Sequence, residues 1–211
     1  RRGLHSPWAS ACRILAMASG IHPLERDRYD EAVQMLAHAF VTNPLHTATF
    51  GAGEIEQNAS FFRIGLRLMK GPKLIATEGA RIVGLIHWAD LPDCRVNGPE
   101  KLAILPELFF RFGFATTRKL FAWLSTWGAH DPSAPHCHLG PIAVAPELQG
   151  HGIGTTLMEK YCENIDRSGM LGYLETDKTS NVAFYERFGF ETVTTAKIHG
   201  ITNHFMRRDP R

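Results

Sequence analysis

The stretch Val144-Ala-Pro146-Glu-Leu-Gln149-Gly150-His151-Gly152-Ile153-Gly154-Thr155 decides the fold. A β-rich run from His136 ends at Val144, and a helical pattern reaching Arg167 opens at Gly152. Glycines at positions 150, 152 and 154 allow backbone conformations closed to other residues and leave no Cβ in the way of a ligand. Unpaired amides at the mouth of that helix, with the positive end of its dipole, favour a phosphate or pyrophosphate. The triphosphate-loop pattern GxxxxGK(S/T) fails, because no Lys follows a glycine at the required place. The dinucleotide pattern GxGxxG fails as well, with Thr155 where its last glycine belongs. ATP hydrolysis and hydride transfer both lose ground.

Downstream the alternation continues. Gly172 to Thr176 reads as a strand and Asn181 to Phe188 as a short helix stopped by Gly189. Two strands, 191–198 and 201–207, flank His199-Gly200. Upstream, the spacing predicts a helix from Leu24 to Phe40 with Asp27 as N-cap and Asn43-Pro44 as its stop. A second helix is expected over 55–69, then a hairpin of Lys73–Thr77 and Arg81–Ala89. Between Asn97 and Pro135, Phe and Trp interleave with Arg and Lys, which reads as an amphipathic helical pair. Its aromatics serve either as core or as a wall over a site. The whole is an α/β chain: a mixed sheet with helices packed against it.

The 211 residues suit one domain with at most an appendage. Residues 1–16, basic and without an acid, are expected as an N-terminal extension or leader, leaving 17–211 as the single domain. Lys and Arg total 23 against 21 Asp and Glu, too balanced for a broad nucleic-acid-binding face. No apolar run approaches the roughly 20 residues that cross a bilayer. Cys12, Cys94, Cys137 and Cys162 follow no CxxC spacing, so reduced thiols and a cytoplasmic location are expected.

Val144-x-Pro146-x-x-Gln149-Gly150-x-Gly152-Ile153-Gly154 resembles the acyl-CoA pyrophosphate loop of the GCN5-related N-acetyltransferase (GNAT) superfamily. Asn181-Val-Ala-Phe184-Tyr185-Glu186-Arg187-Phe188-Gly189-Phe190 resembles the same superfamily's next signature. Tyr173-Leu174-Glu175-Thr176 and Phe205-Met206-x-Arg208 are similar to its puromycin N-acetyltransferase-like members. The signatures cover residues 136–208; the first half matches in layout alone.

The resemblance implies a GNAT fold, with about six to seven strands and a central pair that splays after Leu174. It implies direct acetyl transfer from acetyl-CoA to a primary amine in a ternary complex. Freed amides around Ile142, Ala143 and Val144 would pair with pantetheine, one of them acting as oxyanion donor. Gln149, Gly150, His151, Gly152, Ile153, Gly154 and Thr155 would take the pyrophosphate, and Asn181 and Phe184 would line the CoA arm. Tyr185 occupies the general-acid position, and a phenol near pKa 10 suits a thiol of about 8.5 or somewhat higher.

Three residues are candidates for the base: Glu175, favoured because its position matches the family, and His136 and His138, which share one strand face. No metal is expected, because Cys137 points away from those histidines and cannot converge with them and His130. The expected acceptor is a small-molecule amine, with Leu105 to Trp127 as a wall and Glu100, Glu107 and Asp131 drawing in the cation. Protein N-terminal or lysine acetylation, and a non-catalytic acyl-CoA-binding module, are the competing readings. The chain is expected to be a monomer or homodimer.

Overall fold

The computed structural model describes residues 18–211, so the expectations for residues 1–16 and for Cys12 lie outside it. The strands are β1 (Ala18–Pro23), β2 (Lys73–Glu78), β3 (Arg81–Asp90), β4 (His136–Val144), β5 (Leu171–Thr176), β6 (Glu191–Ile198) and β7 (Ile201–Arg208). The helices are α1 (Tyr29–Phe40), α2 (Pro44–Phe50), α3 (Ile55–Leu68), α4 (Gly98–His130), α5 (Ile153–Ser168) and α6 (Thr179–Glu186). Together the strands form one mixed sheet in the order β1-β2-β3-β4-β5-β7-β6, antiparallel except where β4 meets β5. Among the described residues no helix is long and apolar enough to cross a membrane.

Alternation along the strands feeds two cores. Ile75, Ile82 and Leu85 meet Ala32, Leu36 and Leu66 of α1 and α3 on one face. Val83, Ile86 and Leu174 meet Leu157, Tyr161 and Ile165 of α5 on the other. A third cluster joins α2, α3 and α4 through Leu45, Ile64, Phe112 and Trp123.

Three expectations change. Asp27 is not a cap: it lies in a 3-10 turn, Arg26–Arg28, and α1 starts without a side-chain cap. Pro44 does not simply stop a helix but opens α2 at its first turn, where its missing N–H costs nothing. The aromatic pair is one long element broken at Gly113, whose φ of 67° and ψ of 176° depart from helix in a way only glycine adopts readily. The Thr117 hydroxyl donates to the Leu108 carbonyl (3.1 Å) and ties the two limbs across the break. Its aromatics divide between the two roles considered: Phe112 and Trp123 are buried, whereas Phe109, Phe110, Phe114 and Phe121 are exposed.

The feature that positions the site is where β4 and β5 part. They pair only over His136–His138 and Leu171–Tyr173, after which β4 stays beside β3 and β5 beside β7. Pro141 has no N–H to offer β5, and a register shift opposite His87 bends β4 at the same point. Gly140 is required there, because a Cβ would collide with the His87 ring.

Candidate active site

Ala145 N–H donates to the Val83 carbonyl (2.9 Å), which sets the hydrogen-bonding phase of β4 against β3. Alternation then turns the Ala143 N–H toward β3 and the Ile142 and Val144 N–H groups into the gap left by β5. Of the three amides expected to be free, Ala143's is therefore committed to the sheet. The Val144 carbonyl also faces the gap and accepts from Gln149 Nε2 (3.2 Å).

The glycine loop follows. Gly150 (φ 81°) and Gly152 (φ 90°) adopt left-handed backbone, and open space surrounds the position of a Cβ on either. Gly152 caps α5 with no side-chain acceptor, and the first turn holds no acidic residue. Donors at that mouth are thus left for an anion, as a pyrophosphate requires. His151 Nδ1 donates to the Gln149 carbonyl (3.0 Å) and braces the turn. Ile153, Gly154 and Thr155 form the start of the helix. Asn181 and Phe184 line the same cleft as Gly150, Gly152, Gly154 and Thr155. Arg187, whose guanidinium lies 5.1 Å from the Phe184 ring centre, and Lys178 also line it; Arg187 stands within the second signature but had been given no role, and Lys178 belongs to no motif.

Tyr185 lies beneath, 5% exposed, with Phe184 at 5.3 Å between ring centres. Burial first, then the charges of Asp177 and Glu175, push its phenol well above the usual value, so it keeps its proton at neutral pH. Glu175 ends the splayed strand. Its Oε2 accepts from His138 Nε2–H (2.8 Å), while Oε1 is buried with no hydrogen-bond partner among the described residues. For His138, burial opposes the charged ring. The Glu175 charge and the hydrogen bonds with Asp131, Cys94 and Glu175 outweigh that and raise it well above 6.5. His136 behaves alike: burial opposes, but the Asp131 hydrogen bond leads the effects that push it up to about 9.

Asp131 caps the end of α4, its carboxylate 5% exposed between Arg95, His136 and His138. Burial raises its pKa, yet the hydrogen bonds from His136, His138 and Arg95 hold it well below the usual carboxylate range. Glu100 and Glu107, expected beside it, are committed elsewhere. Glu107 pairs with Arg67 and Arg111, and Glu100 closes a capping box with Asn97 and meets Lys70. Cys137 does point away, with Asn164 Nδ2 3.6 Å from its sulfur, and His130 stacks on Phe205 at 4.2 Å. A different thiol, Cys94, lies 3.8 Å from His136 Nε2.

The cleft measures about 1310 Å³ and continues from the loop to the aromatic end of the molecule. Trp123, Trp127, Phe61 and His46 line that end. His46 donates from Nδ1 to Asn58 Oδ1 (2.6 Å), and burial lowers it to about 4, so it enters this wall as a neutral ring.

A sheet that opens at its centre above a helix mouth ready for phosphate is the architecture of an acyltransferase drawing on a coenzyme A thioester. Residues 74–190, more than half of the chain, match the acetyltransferase (GNAT) family. The protein belongs to that family and is an acetyl-CoA-dependent acyltransferase. Three solved structures share the fold. A histone acetyltransferase HPA2 and related acetyltransferase from Corynebacterium glutamicum is 20% identical, with a TM-score of 0.68, covering 92% of this chain and 98% of its own. Arylalkylamine N-acetyltransferase 2 from Aedes aegypti is 14% identical, with a TM-score of 0.68 and coverage of 91% and 99%. The polyamine N-acetyltransferase of Drosophila melanogaster, which forms N-acetylagmatine, is 12% identical, with a TM-score of 0.62 and coverage of 90% and 99%.

Proposed function

We infer that the enzyme acetylates the primary amine of a small molecule with an aromatic or alkyl body, by direct attack in a ternary complex. The observation that carries this reading is Glu175: a buried carboxylate with one oxygen held by His138 and the other bare, on the splayed strand of a cleft walled by aromatic rings. Acetyl-CoA supplies the activated acetyl group, its pyrophosphate on the amides of Gly150 to Thr155 and its arm along Asn181 and Phe184.

Glu175 Oε1 takes a proton from the incoming ammonium, directly or through water, leaving a nitrogen lone pair to form the new bond to the acetyl carbon. The N–H of Val144 or Ile142 donates to the thioester oxygen as negative charge builds there. As the carbon–sulfur bond breaks, Tyr185 Oη gives its proton to the departing thiolate, and the second proton that the nitrogen sheds as the amide forms returns to the phenolate through water. A buried phenol that resists ionisation suits that donor role. His138 Nε2–H holds Glu175 Oε2 and so leaves Oε1 turned to the substrate. Lys178 and Arg187 line the CoA side, whereas Trp123, Trp127, Phe61 and neutral His46 form an aromatic stretch at the other, with Lys70, Arg95, Lys101 and Asp131 also on the cleft. That contrast favours an arylalkylamine over a polyamine, because a second ammonium would meet apolar surface.

The test is a panel of arylalkylamines, polyamines, puromycin, aminoglycosides and peptides incubated with acetyl-CoA while free thiol is followed. Release with arylalkylamines above the rest supports the reading. Release with peptides alone would make the enzyme a protein acetyltransferase, and none with any amine despite tight CoA binding would leave a non-catalytic module. On the best amine, Tyr185→Phe should lower kcat by about 10- to 100-fold and leave acetyl-CoA affinity within about twofold. Unchanged kcat would remove its role as acid.

A further inference from the structure

Four donors meet between β4, the end of α4 and the loop after β3. One atom each from Cys94, Asp131, His136 and His138 lies within 4.8 Å of all the others. His136 Nε2 is 2.9 Å and His138 Nδ1 3.5 Å from Asp131 Oδ1, and Cys94 Sγ is 3.8 Å from His136 Nε2. Four ligands at zinc bond lengths of about 2.0–2.3 Å stand about 3.3–3.8 Å apart on a tetrahedron. The observed spacings bracket that range, so closing the site needs side-chain adjustment and no change of fold.

The second observation concerns the outer nitrogens. His136 Nδ1–H donates to the Ala134 carbonyl (2.8 Å), and His138 Nε2–H donates to the Glu175 carboxylate (2.8 Å). Each bond consumes the ring nitrogen facing away from the cluster, so the inner one is the nitrogen that offers a lone pair once an ion displaces its proton. Carbonyl- and carboxylate-tethered imidazoles are how proteins orient histidines on a metal. Asp131 Oδ1 reinforces the point: it is buried and faces both inner nitrogens, 2.9 Å from His136 Nε2 and 3.5 Å from His138 Nδ1, so one carboxylate oxygen already sits where both rings converge. Two nitrogen lone pairs, a thiolate and a carboxylate oxygen form a donor set that suits tetrahedral zinc over calcium or magnesium.

We propose that Cys94, Asp131, His136 and His138 bind one Zn2+ ion beside the acceptor end of the cleft, with Ala134 and Glu175 orienting the histidines. Binding releases the thiol proton of Cys94 and any proton on the inner ring nitrogens. The four donors come from three separated segments, which is why no CxxC or HxxxH spacing marks them.

The experiment uses the full chain, free of affinity tag, with thiols reduced and metal stripped. Co2+ added in steps should give the visible bands of a tetrahedral ion and a near-ultraviolet thiolate band, saturating at one equivalent. Zn2+ should then abolish both. Cys94→Ser should lose the thiolate band and weaken Zn2+ binding at least about tenfold; Cys162→Ser, a thiol outside the cluster, should change neither. Octahedral cobalt spectra, or zinc affinity equal in wild type and Cys94→Ser, would overturn the site. Direct binding is the readout, so failure of the zinc site leaves the acetyl-transfer reading untouched, and an inactive amine panel leaves the zinc site standing.

Discussion

The two ends of the cleft are built in different ways. The donor end comes from one continuous segment, strand to loop to helix, which offers backbone amides to the cleft. The acceptor end is assembled from α2, α3 and α4 and the start of β4, and side chains form its walls. Backbone recognition tolerates sequence change as long as the turn survives, so one donor site can serve many enzymes. A wall of side chains has no such tolerance, and it is the half in which relatives of this fold diverge in substrate.

The largest effect should fall where the two ends meet. Glu175→Gln is expected to cut kcat by about 100- to 1,000-fold while acetyl-CoA affinity stays within about twofold. Steady-state kinetics beside calorimetric titration checks both, and a matched loss of affinity would place Glu175 on the donor side. Next, Gly152→Val forces a branched residue into backbone at φ 90° and crowds the helix mouth. Its acetyl-CoA Kd should rise about 100-fold, with circular dichroism confirming an intact fold. Trp127→Ala acts on the other half. It should raise KM for an arylalkylamine by about tenfold and spare a short aliphatic amine, with donor affinity unchanged. Equal losses for both amines would mean that Trp127 serves mainly through its hydrogen bond to Asn203.

The smallest effect concerns pH and stability. Folding raises His136 from 6.5 to about 9, so the charged ring beside Asp131 stabilises the native state fully below pH 6.5. That contribution is lost as pH rises through 9. With a chelator present, melting temperature should fall over that interval in the wild type and stay flatter in His136→Gln. Parallel curves for the two proteins would show that the ring does not titrate with folding.

The same contrast explains what could be read before any coordinates. Gly150, Gly152 and Gly154 lie next to the strand and helix they connect, so short-range pattern reports the glycine loop and its helix mouth directly, and the helix within Asn181 to Phe190 behaves alike. At the acceptor end the signals mislead. Glu100 and Glu107 pointed to cation capture, yet local ion pairs and a cap absorb them. His46 carried no mark, because its place depends on rings from α1, α3 and α4 closing around it. The commitment of the Ala143 amide was hidden too, since only the register between β3 and β4 reveals which amides point outward.

Only three residue pairs stitch the two halves of the sheet along β4 and β5. Beyond them the polypeptide leaves its own middle open, and in the proposed complex the arm of the incoming thioester carrier would supply the missing rung. Cohesion of the folded chain would then be partly borrowed from a metabolite: with the carrier scarce, the seam down the centre would be the first place to loosen, and with it abundant, the same seam would be sutured shut.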